Sequence, residues 1–125
     1  MAFDKDPDLV AREETQDLIS SEKVDGTAVY NRQSERLGSI HHFMVGKRDG
    51  RVRYAVLSFG GLFGMGERYY PLPWDVLTYD TGLGGYVVDL DKSVIENAPS
   101  FERDSEPTYD RAYDERVYGH YGLAY

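Results

Sequence analysis

The chain has 125 residues and a mass of 14.2 kDa, one domain's worth of material, with 41% hydrophobic and 29% charged residues as in ordinary globular proteins. It has no cysteine, which excludes a disulfide framework, a thiolate metal site and a cysteine nucleophile. The net charge of −8 is uneven: residues 1–17 carry −4, residues 101–125 carry −3 and residues 18–100 only −1.

That division predicts three segments: a flexible acidic N-terminal arm over 1–17, a domain over 18–100, and a tyrosine-rich acidic C-terminal tail over 101–125. Met1 to Pro7 carries Asp4 and Asp6 and no apolar core, so it is not read as a signal peptide. No apolar run is long enough for a transmembrane segment, and a cytoplasmic protein is the expectation. Positive charge clusters at Lys47, Arg48, Arg51 and Arg53, read as the solvated end of a hairpin, so nucleic acid is not an expected partner.

Residues 1–17 hold no sustained period of 2 or 3.6. Of the 13 glycines, 11 fall between Gly26 and Gly85, punctuating short apolar runs as in a small antiparallel sandwich or barrel. Thr27 to Tyr30 reads as a first strand and Gly38 to Val45 as a second. Within the second, Ile40 follows one alternation phase while Phe43 and Val45 follow the other, so a β-bulge is expected near His41–His42. Lys47-Arg48-Asp49-Gly50 supplies a turn with the Asp-Gly hairpin signal.

Arg51 to Phe59 is apolar on both faces. Val52, Tyr54 and Val56 point one way and Ala55, Leu57 and Phe59 the other, which predicts a central strand whose second face is also covered. Gly60 to Gly66 reads as a loop and Glu67 to Leu72 as the next strand. Pro71 and Pro73, two apart, lose their N–H donors on the same side, which places this segment at a sheet edge or barrel seam. Val76 to Tyr79, a turn over Thr81 to Gly85, and Tyr86 to Leu90 make a closing hairpin. Asp91 is placed as the N-cap of a short helix that runs through Asn97 and stops before Pro99.

Gly26-Thr27-Ala28-Val29-Tyr30, Leu37-Gly38-Ser39-Ile40, Gly50 through Ser58, Gly60-Gly61 through Gly64-Met65-Gly66-Glu67, and Pro71-Leu72-Pro73-Trp74 follow one another in an order and spacing that resembles the PRC-barrel domain. That family includes the cytoplasmic part of the photosynthetic reaction centre H subunit and the C-terminal domain of a ribosome maturation factor. The resemblance covers about 18–100 and implies a mainly β fold: a small barrel of about six strands, here with a short C-terminal helix and flexible acidic flanks. The chain lacks the H subunit's membrane helix and the maturation factor's preceding domain, and so resembles the stand-alone bacterial members.

Several residue groups invite chemistry. The 60–66 loop is followed by Glu67-Arg68-Tyr69-Tyr70 and not by Gly-Lys-Ser/Thr or a helix, so it is read as a connection and not a phosphate loop. Its apolar Leu62, Phe63 and Met65 are candidates for contact with a partner. His41 and His42 point to opposite faces of a regular strand and cannot chelate together unless a bulge turns them, so no metal is assigned. Asp75 with Asp89 or Asp91 is weighed as an acid–base pair and set aside as turn capping; Ser39 and Ser58 lie inside strands and no Gly-x-Ser-x-Gly exists. No catalytic residue and no cofactor are assigned.

Trp74 is read as packing at a barrel end, with a ligand platform the lesser alternative. Five of the 11 tyrosines follow Glu106: Tyr109, Tyr113, Tyr118, Tyr121 and Tyr125. Helical turns can align them in sets, while Gly119 and Gly122 argue against one continuous helix. Tyrosine suits docking, either on the chain's own barrel or on another protein.

The expectation is a non-catalytic interaction module that forms a homodimer and meets a protein partner through Trp74, the 60–66 loop and the tail. The second reading, from family analogy, is an accessory component docked on a photosynthetic or electron-transfer membrane complex. A small-molecule or enzymatic barrel is the third, disfavoured because a six-stranded barrel is filled by its own side chains.

Overall fold

The computed structural model describes residues 18–59 and 68–125. The acidic arm and the loop bearing Leu62, Phe63 and Met65 lie outside the described residues. Six strands form one sheet: β1 (Ala28–Tyr30), β2 (Arg36–Val45), β3 (Val52–Phe59), β4 (Arg68–Pro73), β5 (Leu77–Asp80) and β6 (Gly85–Val88). Among the described residues three short helices accompany them: α1 (Ser21–Val24), α2 (Lys92–Glu96) and α3 (Arg111–His120). The strand order is β4-β3-β2-β1-β6-β5, a half-barrel whose two end strands, β4 and β5, are joined through a 3₁₀ turn at Trp74–Val76. All pairings are antiparallel except β1 with β6, which are parallel.

The local signals act as expected at most points. The β2–β3 register shifts between Ile40 and His42, the bulge that the change of phase required. A second shift between Met44 and Val45 was not foreseen; it turns Val45 out to solvent, 45% exposed, while Phe43 packs against the core. In the hairpin, Gly50 adopts φ +70° and Asp49 Oδ1 accepts the Arg51 N–H, so the Asp-Gly pair closes the turn. Asp91 stands at the N-cap of α2, but its side chain accepts no capping hydrogen bond.

One core fills the concave face. Val29, Leu37, Ile40, Ala55, Leu57, Leu72, Tyr86 and Val88 come from the strands, Val24 from α1, and Ile95 from α2. Phe59 finds its neighbour in Tyr70, edge-to-face at 5.3 Å. Burial of about ten such side chains, each contributing roughly 1.5–3 kcal/mol, is what holds the sheet curved.

Candidate functional site

The outer face of β3 carries Tyr54 and Val56, and the C-terminal segment covers it. Val56 packs with Tyr69 of β4 and with Phe101; Tyr54 packs with Tyr113, Val117 and Tyr118 of α3. The covered second face read from β3 and the tyrosine tail are therefore two halves of one interface. The tail is not a loose flank: it folds as α3 and docks in cis.

The same segment seals the β4 edge. Tyr69 exchanges two backbone hydrogen bonds with Phe101, at 2.9 and 3.0 Å, on the side of β4 away from β3. Alternation puts the ring nitrogens of Pro71 and Pro73 on that same side, so they cost the β3 ladder nothing and extend no further pairing. Both prolines are fully buried. The edge position read from their spacing is where β4 lies.

Helix α3 begins where Asp110 accepts the Tyr113 N–H at 2.9 Å. It ends in a Schellman arrangement: Leu123 N–H bonds the Tyr118 carbonyl, Gly122 N–H bonds the Gly119 carbonyl, and Gly122 takes φ +75°. Of the two glycines that argued against one continuous helix, Gly122 acts as expected and Gly119 does not. Gly122 terminates it and Gly119 lies within it. His120 Nε2 lies 2.8 Å from the Val94 carbonyl oxygen, tying the helix end to α2.

Inside the interface Tyr54 Oη donates to Asp114 Oδ1 at 2.6 Å, and Tyr118 Oη donates to the Arg53 carbonyl at 2.8 Å. The Tyr54 ring lies 5.6 Å from Tyr109 and 5.5 Å from Tyr118. Burial first, then the Asp114 carboxylate, raises the Tyr54 hydroxyl far above the usual tyrosine range. The hydroxyls of Tyr113 and Tyr121 are buried and find no hydrogen-bond partner among the described residues. Tyr125, 43% exposed, receives a hydrogen bond from Arg53 at 3.2 Å. Four of the five tail tyrosines are thus turned inward and one faces solvent.

Trp74 sits in the 3₁₀ turn, half-buried, with its ring 5.5 Å from Tyr86 and 6.5 Å from Phe43. It closes one end of the core. Asp89, weighed above as half of a carboxylate pair, forms an ion pair with Arg32 at 3.0 Å on the surface. Ser39 and Ser58 face each other across β2 and β3.

The opposite end of the sheet is treated differently. Among the described residues β5 pairs with β6 alone. An open groove of about 700 Å³ runs beside it, floored by Val76, Thr78 and Val87 and reaching the Asp75, Asp80 and Asp89 carboxylates and the Arg32 guanidinium. Leu83, at the tip of the β5–β6 hairpin, lines it and is 41% exposed. Asn31, 6% exposed, shapes its far wall by accepting the Gln33 and Glu35 N–H groups at 2.9 Å each. Residue-level reading missed this groove, although a proline-marked edge at β4 implied a second edge elsewhere.

A family model for the PRC-barrel domain matches residues 16–95, about two thirds of the chain, with α3 outside the matched span. No curated protein matches it. No helix of the described residues is long and apolar enough to cross a membrane.

Proposed function

Because the chain belongs to the PRC-barrel domain family, we propose that it is a non-catalytic protein-interaction module whose partner surface is the groove along β5. The observation that carries this reading is the unequal treatment of the two sheet ends. At β4 the chain's own C-terminal segment pairs with the edge and covers it; at the other end of the sheet an open groove with an exposed leucine at its rim crosses β5, β6 and the turn after β1. An extended segment laid in such a groove gains apolar contacts from Val76, Val87 and Leu83 and polar ones from the carboxylates that line it.

Charge gives the partner a chemistry. The groove holds three carboxylates against one guanidinium, and Arg32 is already engaged by Asp89. A strand-forming segment with apolar residues at alternate positions and lysine or arginine between them complements it.

The test isolates the full chain from its native cells and identifies co-purifying chains by mass spectrometry, with Leu83→Glu and Tyr125→Ala as parallel baits. A partner lost with Leu83→Glu and kept with Tyr125→Ala supports the β5 groove; the reverse pattern moves the surface to the C-terminal segment. Sedimentation at micromolar concentration separates a second copy of the chain from a different protein as the occupant.

A further inference from the structure

The bulge in β2 does what a regular strand forbids. It brings the rings of His41 and His42 to one place, with their Nδ1 atoms 2.8 Å apart and their planes at 79°. His42 Nε2, the nitrogen turned away from that meeting point, lies 3.7 Å from the Glu106 carboxylate. The His41 ring rests edge-on against Tyr69 at 5.0 Å.

We propose that His41 and His42 together chelate a late first-row divalent cation, Cu²⁺ foremost, through their two Nδ1 atoms. Glu106, 3.7 Å from His42 Nε2 and so beyond hydrogen-bond distance as it stands, lies on the side from which an outer carboxylate accepts a ligating histidine's other N–H. A carboxylate on that side favours the Nε2–H tautomer of His42, which leaves its Nδ1 lone pair for the metal. Without metal one Nδ1–H donates to the other Nδ1. With metal, rotation of the exposed His41 ring and its change to the Nε2–H tautomer replace that hydrogen bond by two lone pairs on one ion.

The separation selects the geometry. With imidazole–metal bonds of about 2.0–2.1 Å, reoriented rings that keep the 2.8 Å separation of the hydrogen-bonded pair subtend about 85–90° at the ion, the angle of neighbouring ligands in a square plane or octahedron. A tetrahedral ion needs a bite of about 3.3–3.4 Å at the same bond length. Cu²⁺ combines the tetragonal preference with the highest position in the divalent affinity series. Among the described residues no third histidine, aspartate or glutamate side chain converges on the pair, so the two imidazoles are the ligands the proposal names. The site is independent of the β5 groove.

The experiment titrates CuCl₂ into the tag-free full chain near neutral pH, by calorimetry and by electron paramagnetic resonance. The expected result is one saturable site with a tetragonal spectrum showing two equatorial nitrogens, and weaker binding of Zn²⁺. His41→Gln, at an exposed position where folding is preserved, removes one nitrogen and weakens binding at least about tenfold; Glu106→Gln, with both ligands kept, weakens it by about tenfold. His120→Gln leaves it unchanged. A one-nitrogen spectrum in the unaltered chain, unchanged affinity in His41→Gln, or tighter binding of Zn²⁺ than of Cu²⁺ overturns the proposal.

Discussion

Tyr54 Oη and Asp114 Oδ1 lie 2.6 Å apart across 60 residues of sequence, and this hydrogen bond is the polar centre of the contact between α3 and the sheet. Asp114 is 6% exposed and Tyr54 is 2% exposed, so neither group has water as a ready substitute partner. Tyr54→Phe is expected to lower stability by about 1–3 kcal/mol, because the carboxylate stays buried and loses its 2.6 Å donor. A double-mutant cycle with Asp114→Asn, read by urea denaturation, checks it; strictly additive losses would show that the two groups do not act together.

Alkaline pH is expected to undo the same interface. The Tyr54, Tyr109, Tyr113, Tyr118 and Tyr121 hydroxyls are all held above the usual value of 10.0, chiefly by burial; Tyr125 is raised mainly through Asp114. A raised folded-state pKa means that the unfolded chain releases its proton first. This contribution to stability is therefore intact below pH 10 and is lost progressively above it. Denaturant midpoints compared at about pH 8 and about pH 11 should fall, and tyrosinate absorbance should rise in two stages, the second with unfolding. A single stage with an unchanged midpoint would contradict the buried arrangement.

The two glycines at the end of α3 should respond with opposite signs to alanine. Gly122 has φ +75°, so Gly122→Ala should cost about 1–2 kcal/mol. Gly119 is helical, and a Cβ there meets nothing within 4 Å, so Gly119→Ala should stabilise by roughly 0.5–1 kcal/mol. Thermal melts of the two variants decide it; equal effects would mean that the helix ends elsewhere.

Phe101→Ala tests whether the C-terminal segment belongs to the folded unit. Phe101 is 7% exposed, packs on Val56 and Tyr69, and supplies the backbone bridge at β4. A loss of about 3–5 kcal/mol is expected by denaturation. A loss under about 1 kcal/mol would mean that the segment rides on the sheet without supporting it.

The sheet was legible because its cues are local. The phase change between Ile40 and Phe43 marks the bulge, Asp49-Gly50 marks the hairpin, and the spacing of Pro71 and Pro73 marks the edge. The β1–β6 pair, Val29 opposite Tyr86, joins segments 57 residues apart and leaves no short-range trace. Helix α3 was obscured because Gly119 read as a breaker, and three of the four residues of its buried stripe, Tyr113, Asp114 and Tyr118 beside Val117, are polar-tipped. Asp114 carries no cue at all, since a carboxylate on a helix ordinarily faces solvent. The histidine pair was legible only as a condition, that a bulge turn both rings to one side.

The cover on β4 also sets an order in time. Residues 101–125 follow β4 in synthesis, so the strand stands without Phe101 and α3 until they have left the ribosome. During that interval a bare strand edge would be free to pair with neighbouring nascent chains. Past Tyr69 the outer side of β4 offers the ring nitrogens of Pro71 and Pro73, which cannot donate. The prolines thus protect the growing polypeptide before its own C-terminal segment arrives to do so.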